Sequence, residues 1–379
     1  MHGAVPVTTR REPLLAPTPE VVPRVIANTL STLECTRCGH RFPAGVDAFA
    51  CPACHEGLVL VADDGLGHAR PLARPASVWD FAAVLPAVPA ACRTTLGEGG
   101  TPLISLSDPH LHREVWVKNE GVGPTQSYKD RFNAVNVSVA RAMGFRGVAL
   151  ISTGNAGLAA AAYGAAAGLQ IRVICPPGTP ELITRGIRAF GAELLVSPEG
   201  EARAMLAAAL ADGFFPGSRS VPASGATPFG AEGYKTIAYE VVAALGGPPD
   251  VVIVPVGGGD GIYGIQRGFA EMKRAGDIPS IPRMVGARTK ASLAPSIAFD
   301  EVGGHALACV QRSGGFFVNV TADQILAAVA ALNRVGISAE PASAASVAAL
   351  VYDVATVDEQ VVCVVTGGGL KWGEVLDGR

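Results

Sequence analysis

Lys129 follows the segment Asn119-Glu-Gly-Val-Gly-Pro124-Thr-Gln-Ser127-Tyr128, whose Pro, Thr and Ser suit a helix start, so the lysine falls in that helix's first turn. An ammonium there opposes the helix macrodipole, which favours the neutral amine that a Schiff base requires. A solvated surface lysine is the plainer alternative. Three glycine-rich segments each follow a β-branched run: Ser152-Thr153-Gly-Asn155-Ala-Gly157, Gly257-Gly258-Gly259-Asp260-Gly261 and Thr366-Gly-Gly-Gly369. In parallel α/β proteins, ligands gather where strands end and helices begin. The Gly257 to Gly261 run lacks a Cβ at four of its five positions, which leaves backbone N–H groups open to an anion at the next helix N-terminus. Phosphate is the natural guest, and a tight structural turn is the alternative. No Gly-Lys-Ser/Thr follows, so the run is not a nucleotide-binding P-loop.

A lysine beside a phosphate cradle suggests pyridoxal 5′-phosphate as cofactor. Arg288, in Gly286-Ala-Arg288-Thr-Lys290, follows a further apparent strand and would offer an anionic substrate a bidentate fork, or else stand as a solvated loop charge.

Cys35-Thr-Arg-Cys38 and Cys51-Pro-Ala-Cys54 are two CxxC knuckles twelve residues apart, a spacing that brings four thiolates to one tetrahedral zinc ion. Four thiolates leave no open coordination position, so the zinc would be structural. Disulfides or a redox pair are the alternatives, and the redox reading needs no second knuckle. Cys92, Cys175, Cys309 and Cys363 are scattered and read as small hydrophobes.

The elements that must position these groups alternate. Short β-branched runs are expected to form strands at 115–118, 147–152, 170–175, 192–196, 251–256, 283–286 and 360–365. Helices are expected from about Ser127, Asn155, Pro180, Glu201, Ala231, Gly261, Thr321 and Pro341. This βα alternation predicts parallel sheets with helices on both faces. With 379 residues, two α/β lobes and an appendage fit the length. The expected organisation is a flexible leader over 1–30, a zinc ribbon over 31–62 and a linker with the start of the large lobe over 63–110. A small lobe over 111–225 and a large lobe over 226–379 follow.

A net charge of −3 gives no basic field for nucleic acid or an anionic membrane, and no apolar run reaches the length that spans a bilayer. A small-molecule amino-acid substrate, a cytoplasmic location and a homodimer are the expectations.

Pro124-Thr-Gln-Ser-Tyr-Lys129-Asp-Arg resembles the Schiff-base motif of threonine synthase and its fold type II relatives. Ser152-Thr-Gly-Asn155-Ala-Gly resembles their asparagine loop, and Pro255-Val-Gly-Gly-Gly-Asp-Gly261 their cofactor-phosphate loop. Glu232-Gly-Tyr-Lys-Thr236, Glu340-Pro-Ala-Ser-Ala-Ala-Ser346 and Thr366-Gly-Gly-Gly-Leu-Lys371 match in order, across roughly residues 95 to 372. The resemblance implies a two-lobed, tryptophan synthase beta-like fold with the cofactor between the lobes. It implies that Lys129 holds pyridoxal phosphate and then acts as the base at Cα, and that Asn155 bonds the ring hydroxyl. Gly257, Gly258, Gly259, Asp260 and Gly261 would hold the phosphate, while Thr366 would face the pyridine nitrogen. Ser152 and Thr153 would meet the substrate carboxylate. A neutral threonine at the ring nitrogen implies a milder electron sink that favours elimination over transamination. The plainer reading of Glu340 to Ser346 is helix capping.

The implied reaction is loss of a β or γ leaving group, with or without replacement. Alternatives are a cysteate synthase-like replacement on phosphoserine, a serine/threonine dehydratase, and a non-catalytic protein that kept the fold. Threonine synthases carry an arginine just before Glu-Gly-x-Lys-Thr that helps hold the substrate phosphate, whereas this chain reads Phe229-Gly230-Ala231-Glu232.

Overall fold

The structure, a computed structural model, describes residues 31–44, 51–55, 59–62, 67–106, 115–217 and 227–372. The leader expected over 1–30 lies outside the described residues, as do parts of the 63–110 segment and the expected boundary at 225–226.

Strands β1 (Thr32–Cys35), β2 (Arg41–Pro43) and β3 (Val59–Val61) form a small antiparallel sheet of order β2-β1-β3. The two knuckles lie on it and beside it. Next come β4 (Leu103–Leu106), β5 (Val115–Asn119), α1 (Lys129–Ala142), β6 (Gly147–Ile151), α2 (Asn155–Ala167), β7 (Gln170–Cys175), α3 (Glu181–Ala189), β8 (Glu193–Val196), α4 (Glu199–Ala211) and β9 (Phe214–Pro216). The chain continues with α5 (Lys235–Leu245), β10 (Val251–Pro255), α6 (Asp260–Ala275), β11 (Arg283–Arg288), α7 (Gly304–Arg312), β12 (Phe316–Asn319), α8 (Ala322–Arg334), α9 (Pro341–Ala348) and β13 (Val361–Val365).

Two sheets result. One has the order β8-β7-β6-β9 and is parallel throughout; the other has the order β12-β11-β10-β13-β5-β4 and is parallel except for β4 at its edge. β10 and β13 are buried at every position, which their apolar Val, Ile, Cys and Pro content permits and which helices on both faces require. α2 is almost wholly Ala, Leu and Gly because it packs close to β7: a Cβ at Gly164 would lie 2.1 Å from the Ile171 side chain. Gly168 ends it in the left-handed conformation that glycine adopts at no steric cost.

One boundary differs from the sequence expectation. β5, placed there in the 111–225 lobe, pairs in parallel with β13 from Val361↔Val115 to Val365↔Asn119, and antiparallel with β4. It therefore belongs to the larger sheet. Its partner lies at the far end of the chain, and nothing local in Val115-Trp-Val-Lys-Asn119 names that partner.

Candidate active site

Lys129 is the first residue of α1, and the turn before it is stitched to the end of β13. Tyr128 N donates to Thr366 O at 2.9 Å, Gly368 N donates to Gln126 O at 2.9 Å, and Ser127 bridges Gly367. Gln126 carries a φ of 60°, a strained value for a side chain of its size. Lys371 holds it there, donating from Nζ to the Thr125 and Gln126 carbonyls at 2.8 and 3.0 Å.

The Lys129 amine donates to the Tyr234 hydroxyl at 3.2 Å and lies 4.8 Å from the Tyr128 ring centroid. The two tyrosine rings stack at 4.6 Å. Burial pushes the Tyr234 phenol well above its ordinary value, so it stays a hydroxyl. Tyr234 was missed from sequence; it was visible only as the variable position of Glu232-Gly-Tyr-Lys-Thr236.

The glycine loop fits a phosphate. A Cβ at Gly259, whose φ is 110°, would stand 2.3 Å from the Ala306 Cβ, and one at Gly261 would stand 2.8 Å from the Tyr128 ring. Side chains are thus excluded at Gly259 and Gly261, and the first-turn N–H groups of α6 have no acceptor within the helix. Asp260 Oδ1 lies 3.1 Å from Nε2 of His305, and Gly258 O accepts from Gly303 N at 3.1 Å, so α7 backs the loop. Tyr128, touching both Lys129 and the Gly261 position, joins the amine to the cradle.

Asn155 opens α2. Its Nδ2 donates to both Glu340 oxygens at 2.9 and 2.8 Å, and its Oδ1 accepts from Lys371 Nζ at 2.6 Å. Burial lowers the affinity of Lys371 for its proton, and Glu340 and Asp130 oppose that. Thr366 Oγ1 lies 2.9 Å from Ser343 Oγ. Glu340 corrects the capping reading: it is the residue before α9, with Pro341 in the first turn, but its side chain makes no capping bond and reaches Asn155 instead.

Ser152 does cap: its Oγ accepts from Gly154 N and Gly157 N at 3.2 and 2.8 Å, while Thr153 is exposed beside it. Arg288 ends β11 with Nη2 donating to the Phe299 and Asp300 carbonyls at 3.1 and 3.0 Å. A Cβ at Gly257 would lie 3.0 Å from the Phe299 ring, so this loop walls the cradle.

In the ribbon, Cys35 and Cys54 sulfurs are 3.6 Å apart, as are those of Cys38 and Cys51, and all four lie within 4.8 Å of one another. A tetrahedral zinc with bonds of about 2.3 Å separates its sulfurs by about 3.8 Å, so the cluster fits that ion. Arg267 of α6 donates to the carbonyls of Val61 and Ala62, which docks the ribbon on the main body.

Residues 94–367 match the family described as pyridoxal-phosphate dependent enzyme. The chain belongs to that family. It is 34% identical to the threonine synthase of Methanosarcina acetivorans, over 89% of this chain and 92% of that protein. It is 36% identical to the threonine synthase of Halalkalibacterium halodurans, over 73% and 84%. The fold is similar to that of the processed form of threonine deaminase isoform 2 from Solanum lycopersicum, with a TM-score of 0.63 at 21% identity, over 83% of this chain and 98% of that one. The protein is thus a pyridoxal-phosphate-dependent enzyme of fold type II, threonine synthase-like, with the chemistry of a lyase. No helix among the described residues is long and apolar enough to cross a membrane.

Proposed function

We propose that this enzyme eliminates, or eliminates and replaces, an anionic leaving group on an amino acid other than homoserine phosphate. The observation that carries the second half is the packing at Gly230, where a Cβ would lie 2.3 Å from the Phe132 ring. The arginine that clamps substrate phosphate in threonine synthases has neither its residue nor its space here.

Lys129 would hold the cofactor covalently, Gly257 to Gly261 would bind its phosphate, and Asn155 and Thr366 would meet its ring. When bound, pyridoxal phosphate supplies an electron sink for the charge that develops at Cα. The Lys129 Nζ accepts the Cα proton, and the Tyr234 hydroxyl beside it keeps that nitrogen oriented. Exposed Thr153, at the positive end of α2, meets the substrate carboxylate, while Ser152 keeps that helix start in shape. Arg288 supports the Phe299 and Asp300 wall and faces an anionic substrate from the β11 end. The four ribbon cysteines hold one structural zinc ion. Two copies of the chain pair, and the enzyme works in the cytoplasm.

Phosphorylated amino acids, namely phosphoserine, phosphothreonine and homoserine phosphate, test the proposal with phosphate release as the readout. Turnover of one of the first two with kcat/KM at least about tenfold above that of homoserine phosphate supports it. Efficient release from homoserine phosphate alone would overturn it.

A further inference from the structure

Tyr128 sits between Lys129 and the glycine loop. One face of its ring stacks on Tyr234 at 4.6 Å with the planes 30° apart, and the Lys129 amine lies 4.8 Å from its centroid. The far edge of the ring meets the second residue of α6. An ideal Cβ at Gly261 would lie 2.8 Å from Tyr128 Cε2, 3.4 Å from Cζ and 3.1 Å from the hydroxyl oxygen. The hydroxyl is therefore held against the helix start that closes the glycine loop, and only a glycine at 261 leaves it there.

Tyr128 is half-buried, and its hydroxyl has no hydrogen-bond partner among the described residues. Packing does not require that oxygen, because a phenylalanine ring would stack on Tyr234 as well. Its surroundings offer donors. The first bond of α6 onto the loop runs from Tyr263 N to Gly259 O at 3.0 Å, which leaves the Gly261 N–H without an acceptor among the described residues. Asp260, the acid of the loop, lies 3.1 Å from His305 Nε2. A phenol O–H beside an unpaired backbone N–H, at the positive end of a helix, is a set of converging donors that an anion satisfies. An O–H donated to a phosphate oxygen is charge-assisted and stronger than a bond between neutral groups.

We propose that Tyr128 is a cofactor-binding residue whose hydroxyl donates to the phosphate of the cofactor. The inference rests on the reading of Gly257 to Gly261 as the phosphate cradle. It adds a side-chain donor to a loop made of glycines, and it confines the contribution of that donor to ligands that carry the phosphate.

The test compares wild type with Tyr128→Phe. Protein stripped of cofactor is titrated with pyridoxal 5′-phosphate and, separately, with pyridoxal, which has a hydroxyl where the phosphate would be; absorbance of the lysine adduct is the readout. Tyr128→Phe should bind pyridoxal phosphate about 10- to 100-fold more weakly and pyridoxal within about threefold of wild type. Protein carrying 3-fluorotyrosine at position 128 keeps both ring and hydroxyl, and it decides the matter if Tyr128→Phe fails to fold. Its ¹⁹F resonance should differ between the pyridoxal phosphate and pyridoxal forms. Unchanged affinity of Tyr128→Phe for pyridoxal phosphate, an equal loss for both ligands in the folded variant, or one ¹⁹F position for both forms would overturn the inference alone. Failure of wild type to take up either ligand would bring down the functional reading and this inference with it.

Discussion

The ring of Phe132 occupies the space that a side chain at Gly230 would need. The ideal Cβ position lies 2.3 to 2.6 Å from three ring carbons. Phe132 is itself buried and in contact with Tyr234, at a ring separation of 6.0 Å. The absent arginine is therefore more than a change at one position, because the neighbourhood has closed over it.

Gly230→Arg should accordingly not create a homoserine phosphate enzyme. Overpacking of this kind costs about 1–3 kcal/mol or more, so the variant should melt several degrees lower and show no gain in phosphate release from that substrate. A stable Gly230→Arg protein with at least tenfold higher kcat/KM for homoserine phosphate would contradict the packing argument.

Tyr234→Phe keeps the stacked ring and removes the hydroxyl that accepts from Lys129. The cofactor absorbance should persist, while kcat/KM falls by about 10- to 100-fold, or about 1.4–2.8 kcal/mol of transition-state stabilisation. Unchanged kinetics would assign the hydroxyl no part in holding the lysine.

Much of this site was legible in sequence, and for a physical reason. Lys129, Asn155, the glycine loop and Thr366 all stand at strand ends or helix starts, where local composition announces the turn. The strands expected at 115–118, 147–152, 170–175, 192–196, 251–256, 283–286 and 360–365 lie close to their observed positions, as do the expected helix starts. What escaped depends on distant partners or on weak signals. β4 and β9 are short, β12 is an edge strand, and α7 opens on Gly303-Gly304-His305 without a side-chain cap. Glu340 reads as a cap because of Pro341 behind it, and only the fold brings Asn155 to its carboxylate. Arg288 reads as a free fork, yet the fold supplies two carbonyls to it.

Asp130, next to Lys129, gives a pH-dependent signature. Burial raises its carboxyl to about 6, against hydrogen bonds from the Thr125 N–H and hydroxyl that favour the charged form. The acid form is thus the one the fold prefers. Its contribution to stability is present below the unfolded value near 4 and is lost as pH rises through about 6, up to about 2–3 kcal/mol in all. Relative to Asp130→Asn, wild type should lose stability between about pH 4 and 6 in denaturant titrations. A difference that is flat, or that grows with pH, would contradict the assignment.

For the ribbon, about one zinc per chain should copurify, and Cys35→Ser should lower the melting temperature. None of the expected cofactor-holding residues is among the ribbon contacts of Arg267, so the cofactor absorbance should remain in the folded variant. Absence of zinc from a reduced preparation would remove the structural-metal reading.

The central claim is that Lys129 carries the cofactor. The buried lysines among the described residues are already committed: Lys118 to Glu240 and the Thr101 carbonyl, Lys235 to Glu232 and Glu271, Lys371 to Asn155 and two carbonyls. Borohydride reduction of the purified protein followed by peptide mapping decides the point. The pyridoxyl group should be found on the peptide containing Lys129 and be absent from Lys129→Ala, whereas a label on Lys118, Lys235 or Lys371, or none at all, would contradict the account.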